Sequence, residues 1–299
     1  MIENIRKDMS FHIMLFPAVI VLFIYNYVPM TGAVIAFLEY KPIFGFFDSE
    51  FVGLDNFKFL FATSGFMRAF TNTVSIALMK IITGMIVPLT FSLLLNEVGN
   101  YTYKRVVQTV IYLPHFVSWV LMAGIIIEIF SPSGGLINNI LVWAFKIKPI
   151  FFLGSNTLFQ PVLVVTNIWK EFGWSTIIYL AALAGVNPTV YEAAIVDGAG
   201  RWKQTVHVTL PGIMPTVVLL TTLNLGKILN AGFDQVYNLM SPITMESGDI
   251  IDTFVFRMGL KNGQYSIATA AGLFKSIISS ILIISSYKLA YRFSGYRLF

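Results

Sequence analysis

The chain has no cysteine, only three histidines and a charged fraction of 12%. Without cysteine there is no disulfide, no thiolate nucleophile and no cysteine-based metal site. His12, His115 and His207 lie far apart with no His-x-x-x-His spacing, and no nucleophile has an evident base beside it, which argues against an intramembrane enzyme. A glycine-rich loop ending in Gly-Lys-Ser/Thr is also missing, so the chain carries no phosphate-cradling loop of its own. The net charge of +5 is spread without a basic cluster. It reads as juxtamembrane Lys and Arg, not as a nucleic-acid surface. Soluble domains carry about 25% charged residues. A chain of 299 residues with 56% hydrophobic residues and a mean hydropathy of +0.75 belongs instead with integral membrane proteins. Its 27 Phe, 13 Tyr and 5 Trp suit lipid-facing packing and interfacial belts.

At about 20 apolar residues per crossing, the sequence predicts an all-α integral membrane protein with about six transmembrane helices in one domain, residues 1–299. The spans fall near residues 11–37, 69–95, 106–130, 158–184, 212–240 and 265–291. A signal peptide is the rival reading of the first run, because Arg6 and Lys7 precede it. The run is long, lacks a clear small-x-small cleavage site and is followed by more spans, so it is taken as a retained helix with its N-terminus inside. Residues 39–68 form an external loop with a short interfacial helix after Leu54, and residues 131–157 and 241–264 form the other external loops. Lys104, Arg105, Arg201, Lys203, Lys288, Arg292 and Arg297 then lie inside, close to span ends, where the positive-inside rule applies best. Both termini are cytoplasmic in this arrangement.

The polar interval between the fourth and fifth spans, about residues 187–211, needs a reason to exist. Asn187 is a good N-cap and Pro188 suits the first helical position. Glu192 sits early in that helix, where the dipole favours an anion. Asp197-Gly198 is a stop signal, with Gly198 able to take a positive φ. A second helix begins near Gly200 and runs to Pro211. The product is a compact two-helix knob whose Ala193, Ala194 and Ala199 keep its surface low, so that a partner backbone can approach. The alternative is a tight turn with amphipathic helices lying on the membrane surface.

Glu192-Ala193-Ala194, three residues to Gly198, then Leu210-Pro211 resembles the EAA loop of permease subunits of binding-protein-dependent ABC importers. The extended pattern, Tyr191 to Ala199, Arg201-Trp202 and His207-x-Thr209-Leu210-Pro211-Gly212, is similar to the maltose-type carbohydrate branch, and closer still to permeases for pectin-derived and other complex oligosaccharides. Phe51-Val52-Gly53-Leu54-Asp55-Asn56-Phe57, Leu113 to Trp119, Gly134-Gly135-Leu136-Ile137-Asn138 and Trp169-Lys170-Glu171-Phe172-Gly173-Trp174 fit the same branch, so the likeness covers nearly the whole chain. Val196 departs from a commoner Ile, and Lys203 from a commoner Gln. The resemblance implies a bacterial cell-membrane permease subunit that forms half of the pathway for a carbohydrate. It would pair with a second homologous permease and receive substrate from an extracytoplasmic sugar-binding protein. The loop would couple to two cytosolic ATPase subunits, which would hold the ATP and magnesium, so this chain has no cofactor. Glu192, Ala193, Ala194, Asp197, Gly198, Ala199 and Arg201 would form the coupling set, with Asp197 and Arg201 capping and bracing the elbow.

Ionisable groups at membrane depth are costly and mark bundle interiors or aqueous cavities. Trp169, Lys170, Glu171 and Trp174 in the fourth span, and Asn224, Lys227, Asn230 and Asp234 in the fifth, fall near the middle, level with Lys80, His115 and Lys275. One polar midplane cavity would suit a sugar: aromatic faces for C–H surfaces, amides for hydroxyls. Lys170, Lys227 and Lys275 would favour an acidic one. Lys170 and Glu171 are about 100° apart on a helix, which predicts that they do not point into one site. The alternative function is an ion-coupled secondary transporter that uses Lys170, Glu171 or Asp234 and acts without an ATPase.

Overall fold

The computed structural model describes residues 9–294. Arg6, Lys7 and Arg297, on which the expected inside position of the termini partly rests, lie outside them. The chain is almost wholly helical. Helix α1 (Met9–Leu22) continues through a π turn (Phe23–Tyr27) and a 3-10 stretch (Thr31–Phe37) into strand β1 (Leu38–Glu39), which pairs antiparallel with β2 (Glu50–Phe51). Then follow α2 (Asp55–Ala62), α3 (Ser64–Asn96), α4 (Tyr101–Tyr112), α5 (Trp119–Ile129), α6 (Leu136–Phe145), α7 (Asn156–Ala184), α8 (Pro188–Val196), α9 (Arg201–Gln204) and α10 (Leu210–Leu225). The last are α11 (Phe233–Leu239), α12 (Met245–Gly248), α13 (Ile251–Phe256) and α14 (Tyr265–Ser294).

Among the described residues, four stretches are long and apolar enough to cross a membrane unbroken: Phe11–Phe37, Ser64–Asn96, Arg201–Leu225 and Tyr265–Lys288. Two bent pairs, Tyr101–Phe116 with Trp119–Ile129 at 105° and Asn156–Ala184 with Pro188–Val196 at 68°, bring the number to six when each pair counts as one span.

The residues divide into two compact units, 9–63 with 255–274, and 64–254 with 275–294. In the first, Asn56 donates to the carbonyls of Ala36 (3.0 Å) and Leu38 (2.9 Å), clamping the end of the first span to the start of α2. In the second, α3 and α7 lie along each other, and α5, α10 and α11 pack around them. Their shared apolar core holds Ile76, Met122, Ile126, Phe159, Leu163, Val236, Leu239 and Ile250.

The structure corrects four boundaries. The third span is not one helix over 106–130. Pro114 opens a 3-10 turn (Leu113–Phe116), Val117 is extended, and Ser118 starts α5 afresh by accepting from the Leu121 N–H. The fifth span is not one helix to Met240. It stops at Leu225, passes through non-helical residues to Gly232 (φ +92°), and resumes as α11. Pro211 does not end the helix begun at Arg201. A π turn (Thr205–Thr209) precedes it, and the wider turn accommodates a ring that lacks a donor. The segment 241–264 is not a plain loop: it is largely helical, and Asp249, Ile250, Ile251 and Phe254 are buried.

Candidate coupling loop and polar sites in the spans

The interval between α7 and α10 has the two-helix form its capping residues predict. Asn187 caps α8 by accepting from the Thr189 N–H at 3.0 Å, and Pro188 takes the first turn. At the other end the Gly198 N–H bonds to Ile195 O (3.0 Å) and the Ala199 N–H to Ala194 O (2.9 Å), with Gly198 at φ +75°. That crossed pair is a Schellman closure, which a glycine in the left-handed region makes without penalty. Gln204 donates to Ala199 O at 2.7 Å, and Tyr191 and Thr209 share a hydrogen bond at 2.9 Å, tying α8 to the π turn.

Asp197 takes the C-cap position of α8 through its backbone, its N–H bonding to Ala193 O, but neither its side chain nor that of Arg201 braces the elbow. The Asp197 carboxylate is exposed and makes no hydrogen bond or ion pair among the described residues. Arg201 reaches instead to Glu97, 3.9 Å away, at the turn after α3. The backbone closure and Gln204 hold the elbow, which leaves both charged side chains facing outward. Glu192 and Ala193 are exposed as well. Beside them Val196 (87%), Trp202 (78%) and Ile195 (60%) form an apolar patch. The Arg201–Glu97 pair puts this loop at the same end of the second unit as the turn after α3. Asn72 and Asn156 bond to residues 243–249 at the opposite end.

In the spans the structure builds several small polar clusters where the sequence predicts one cavity. The first lies where α4 meets α7. Lys170, buried, donates to His115 O (2.8 Å) and to Glu171 (3.0 Å), with its ammonium 5.4 Å from the Trp119 ring centre. The other Glu171 oxygen meets His115 Nδ1 at 2.7 Å, and the His115 ring stacks on Trp174 at 4.7 Å. The expectation that Lys170 and Glu171 diverge therefore fails: long side chains on neighbouring positions have bent toward each other, because an unpaired charge at this depth costs more than the bent rotamers. The result is a neutral pair under a partly exposed imidazole–indole face, edged by Phe116. Such a surface can stack on a sugar ring and bond hydroxyls.

What makes this junction so tight is Gly173. A Cβ there would sit 2.0 Å from Ile111 O, so only glycine lets α4 and α7 cross at backbone contact. Trp169 is not part of the cluster. It lines an apolar cavity of about 250 Å³ with Ile126, Phe130, Leu136 and Val165.

The second cluster is at the break in the fifth span. The Lys80 ammonium bonds to Ala231 O (2.6 Å) and to the Gln235 side-chain oxygen, and Gln235 donates onward to Leu163 O and Thr166 Oγ1, both at 2.8 Å. Both acceptors of Lys80 are neutral. Gln235 escapes a reading by charge, and its only sequence signal is a buried-span amide level with Lys80. Around the same break Lys227, Asn230 and Asp234 are exposed and Asn224 is half-buried. Lys275 belongs to neither cluster: it is ion-paired with Asp252. Of the three lysines expected to favour an acidic sugar, Lys170 and Lys275 are thus neutralised, and Lys227 is exposed.

Residues 80–295 match the family of binding-protein-dependent transport system inner membrane components. The chain belongs to this family. The permease is 42% identical to the protein LplB of Bacillus subtilis (strain 168), over 99% of this chain and 92% of that one. It is also 42% identical to that organism's polygalacturonan/rhamnogalacturonan transport system permease protein YteP, over 94% and 88%. A crystal structure of a bacterial ABC transporter involved in the import of the acidic polysaccharide alginate contains a chain that superposes with a TM-score of 0.90 at 37% identity, covering 98% of both. A second structure has that transporter in complex with an alginate pentasaccharide-bound periplasmic protein (TM-score 0.89, 37% identity, 97% and 96% covered). The permease is thus a multi-pass inner membrane component, and YteP and the alginate importer are transport proteins.

Proposed function

We propose that the permease forms half of the translocation pathway of an ATP-driven importer for an acidic oligosaccharide. A second homologous permease supplies the other half, an extracytoplasmic binding protein delivers the substrate, and two cytosolic ATPase subunits hold the ATP and magnesium. Both termini face the cytoplasm. The observation that carries this reading is the loop at 187–211, a rigid two-helix element that exposes Glu192, Asp197, Arg201 and the apolar Ile195, Val196 and Trp202 together. An exposed apolar patch rimmed by charge marks a protein contact. Glu192, Ala193, Ala194, Asp197, Gly198, Ala199 and Arg201 dock on an ATPase, and closure of the ATPase pair moves α7 and α10, which flank the loop.

The acidic character of the substrate is supported by the alginate importer, which is similar over 98% of the chain, and by the exposed Lys227 at the break in the fifth span. Sugar rings stack on His115 and Trp174 and bond to Glu171. Asn224 and Asn230 contribute amides, and Asp234 limits the net positive charge. The ion-coupled alternative loses two of its coupling groups, because Lys170 and Glu171 are committed to each other.

Coupling is tested in proteoliposomes holding the whole importer. Gly198→Val forces a β-branched residue into φ +75°, at a cost of about 1–2 kcal/mol in the left-handed region, and reshapes the elbow. Glu192→Arg reverses the exposed charge. Both are expected to leave the permease in the membrane with its partner and to lower substrate-stimulated ATP hydrolysis and uptake at least tenfold. Undiminished uptake in both variants refutes docking through this loop.

A further inference from the structure

The hairpin that follows the first span carries an apolar tip for which the transport cycle above has no use. Between β1 and β2 the chain reads Tyr40-Lys41-Pro42-Ile43-Phe44-Gly45-Phe46-Phe47-Asp48-Ser49. Its backbone is fixed: the Phe44 N–H bonds to Lys41 O at 2.9 Å, Gly45 turns at φ +67°, and Ser49 Oγ donates to Gly45 O. With the backbone held that way, Phe47 is 101% exposed, Ile43 93% and Phe44 55%. The turn holds these side chains outward.

The base of the hairpin sets its depth. Tyr40 donates its N–H to Ser266 Oγ at 2.9 Å, and its ring meets Tyr265 edge-on at 6.1 Å. The base is therefore pinned between the end of the first span, Phe37, and the start of α14. The first span has 27 residues, about 40 Å of helix at 1.5 Å per residue, which reaches through the hydrocarbon layer into both headgroup regions. Tyr40 and Tyr265 sit where interfacial aromatic belts form. Most of the charges lie at the base, with Glu39 and Lys41 ion-paired at 3.0 Å and Glu50 opposite Glu39 on β2, while Asp48 follows Phe47 at the edge of the tip.

We propose that this hairpin is an interfacial membrane anchor: Ile43, Phe44 and Phe47 insert between lipid headgroups into the upper acyl layer, and the charged base stays in the polar layer. The lipid surface is chosen over a protein partner for its continuity. The hairpin follows directly on the first span, whose Tyr27, Met30 and Val34 are exposed in the half nearest to it.

Phe47→Cys gives a single labelling site in a chain without cysteine, and full exposure of Phe47 means that the fold loses no contact. The labelled permease is assembled with its partner subunits in liposomes, with an environment-sensitive fluorophore at position 47. Blue-shifted emission, quenched at least twofold by lipids brominated near the headgroup end of the acyl chain and unchanged by the substrate-loaded binding protein, is the expected result. Emission typical of water with no lipid quenching overturns the proposal. So does a shift that appears only when the binding protein is added, which would assign the tip to that protein.

Discussion

Gly173→Ala puts the helix crossing at the His115–Lys170–Glu171 cluster to the test. The added Cβ would lie 2.0 Å from Ile111 O and 2.6 Å from Ile111 C. A carbon and a carbonyl oxygen need about 3.3 Å, so α4 must retreat from α7 by roughly 1.3 Å. The same movement acts on the two bonds that span this crossing. The contacts of Lys170 Nζ with His115 O and of Glu171 with His115 Nδ1, at 2.8 and 2.7 Å, would open beyond hydrogen-bonding range. Overpacking of this kind costs about 1–3 kcal/mol, and a lost charge-assisted hydrogen bond about 1.5–3 kcal/mol. With both bonds counted, the sum is about 4–9 kcal/mol and corresponds to a fall in Tm on the order of 10–20 °C for a chain of this size. Thermal melts of the importer in nanodiscs, followed by tryptophan emission, measure it, and uptake by the same sample should fall with it. Gly84→Ala is the control. It lies within α3 and its Cβ meets nothing within 4 Å, so it should be neutral or stabilise by about 0.5–1 kcal/mol. Equal melting temperatures for the two variants would refute the claim that backbone contact at Gly173 holds the cluster.

Two polar pairs yield further predictions. Lys80→Met removes the partner of Ala231 O and of Gln235 and should cost about 1–3 kcal/mol. In a double-mutant cycle with Gln235→Leu, measured by thermal melts, a coupling energy of about 1–2 kcal/mol is expected, and zero coupling would mean that the contact carries no energy. Asp252→Ala strands the Lys275 ammonium, with an expected loss of about 3 kcal/mol and a lower yield of assembled importer. The paired replacement of Asp252 by Leu and Lys275 by Met should recover most of that loss, and a double variant as poor as the single one would show that the charges were not the cause.

Much of this fold was legible because lipid imposes it. Long apolar runs with few charges leave the helix as the only segment that satisfies its own backbone, and spans one, two, four and six fall within a few residues of their expected positions. The loop at 187–211 was legible for a different reason, since Asn187, Pro188 and Gly198 act through local backbone rules that the sequence itself displays. Positions that depend on distant partners were not. Gly226, Asn230 and Gly232 weaken the helix near residues 225–233, but what lets the break persist is not local, because its carbonyl is satisfied by Lys80, which lies 151 positions away from Ala231. Asp252 and Lys275 look like a loop acid and a span base until the chain brings them together. Lys170 and Glu171 converge because side-chain length, and not helical angle alone, decides where long residues point.

The short motifs that first suggested a family turn out to share one physical property: each fixes a backbone irregularity, and none is merely apolar. In Phe51 to Phe57, Gly53 turns at φ +59° so that Asn56 can clamp two carbonyls at the end of the first span. In Leu113 to Trp119, Pro114 and Ser118 end one helix and start the next at 105°. In Gly134 to Asn138, Gly134 turns at φ +89°, a Cβ on Gly135 would lie 2.5 Å from Ser131 O, and Asn138 is buried and bonded to Phe130, Ser131 and Ile150. In Trp169 to Trp174, Gly173 admits the α4 backbone. A regular lipid-facing helix can be written with many apolar sequences, so its residues say little. A break, a clamp or a backbone crossing inside a membrane leaves peptide groups that only particular residues can satisfy. One of those places is where α4 and α7 meet at backbone contact, which makes α7 the structural link between the loop that follows it and the His115–Trp174 surface.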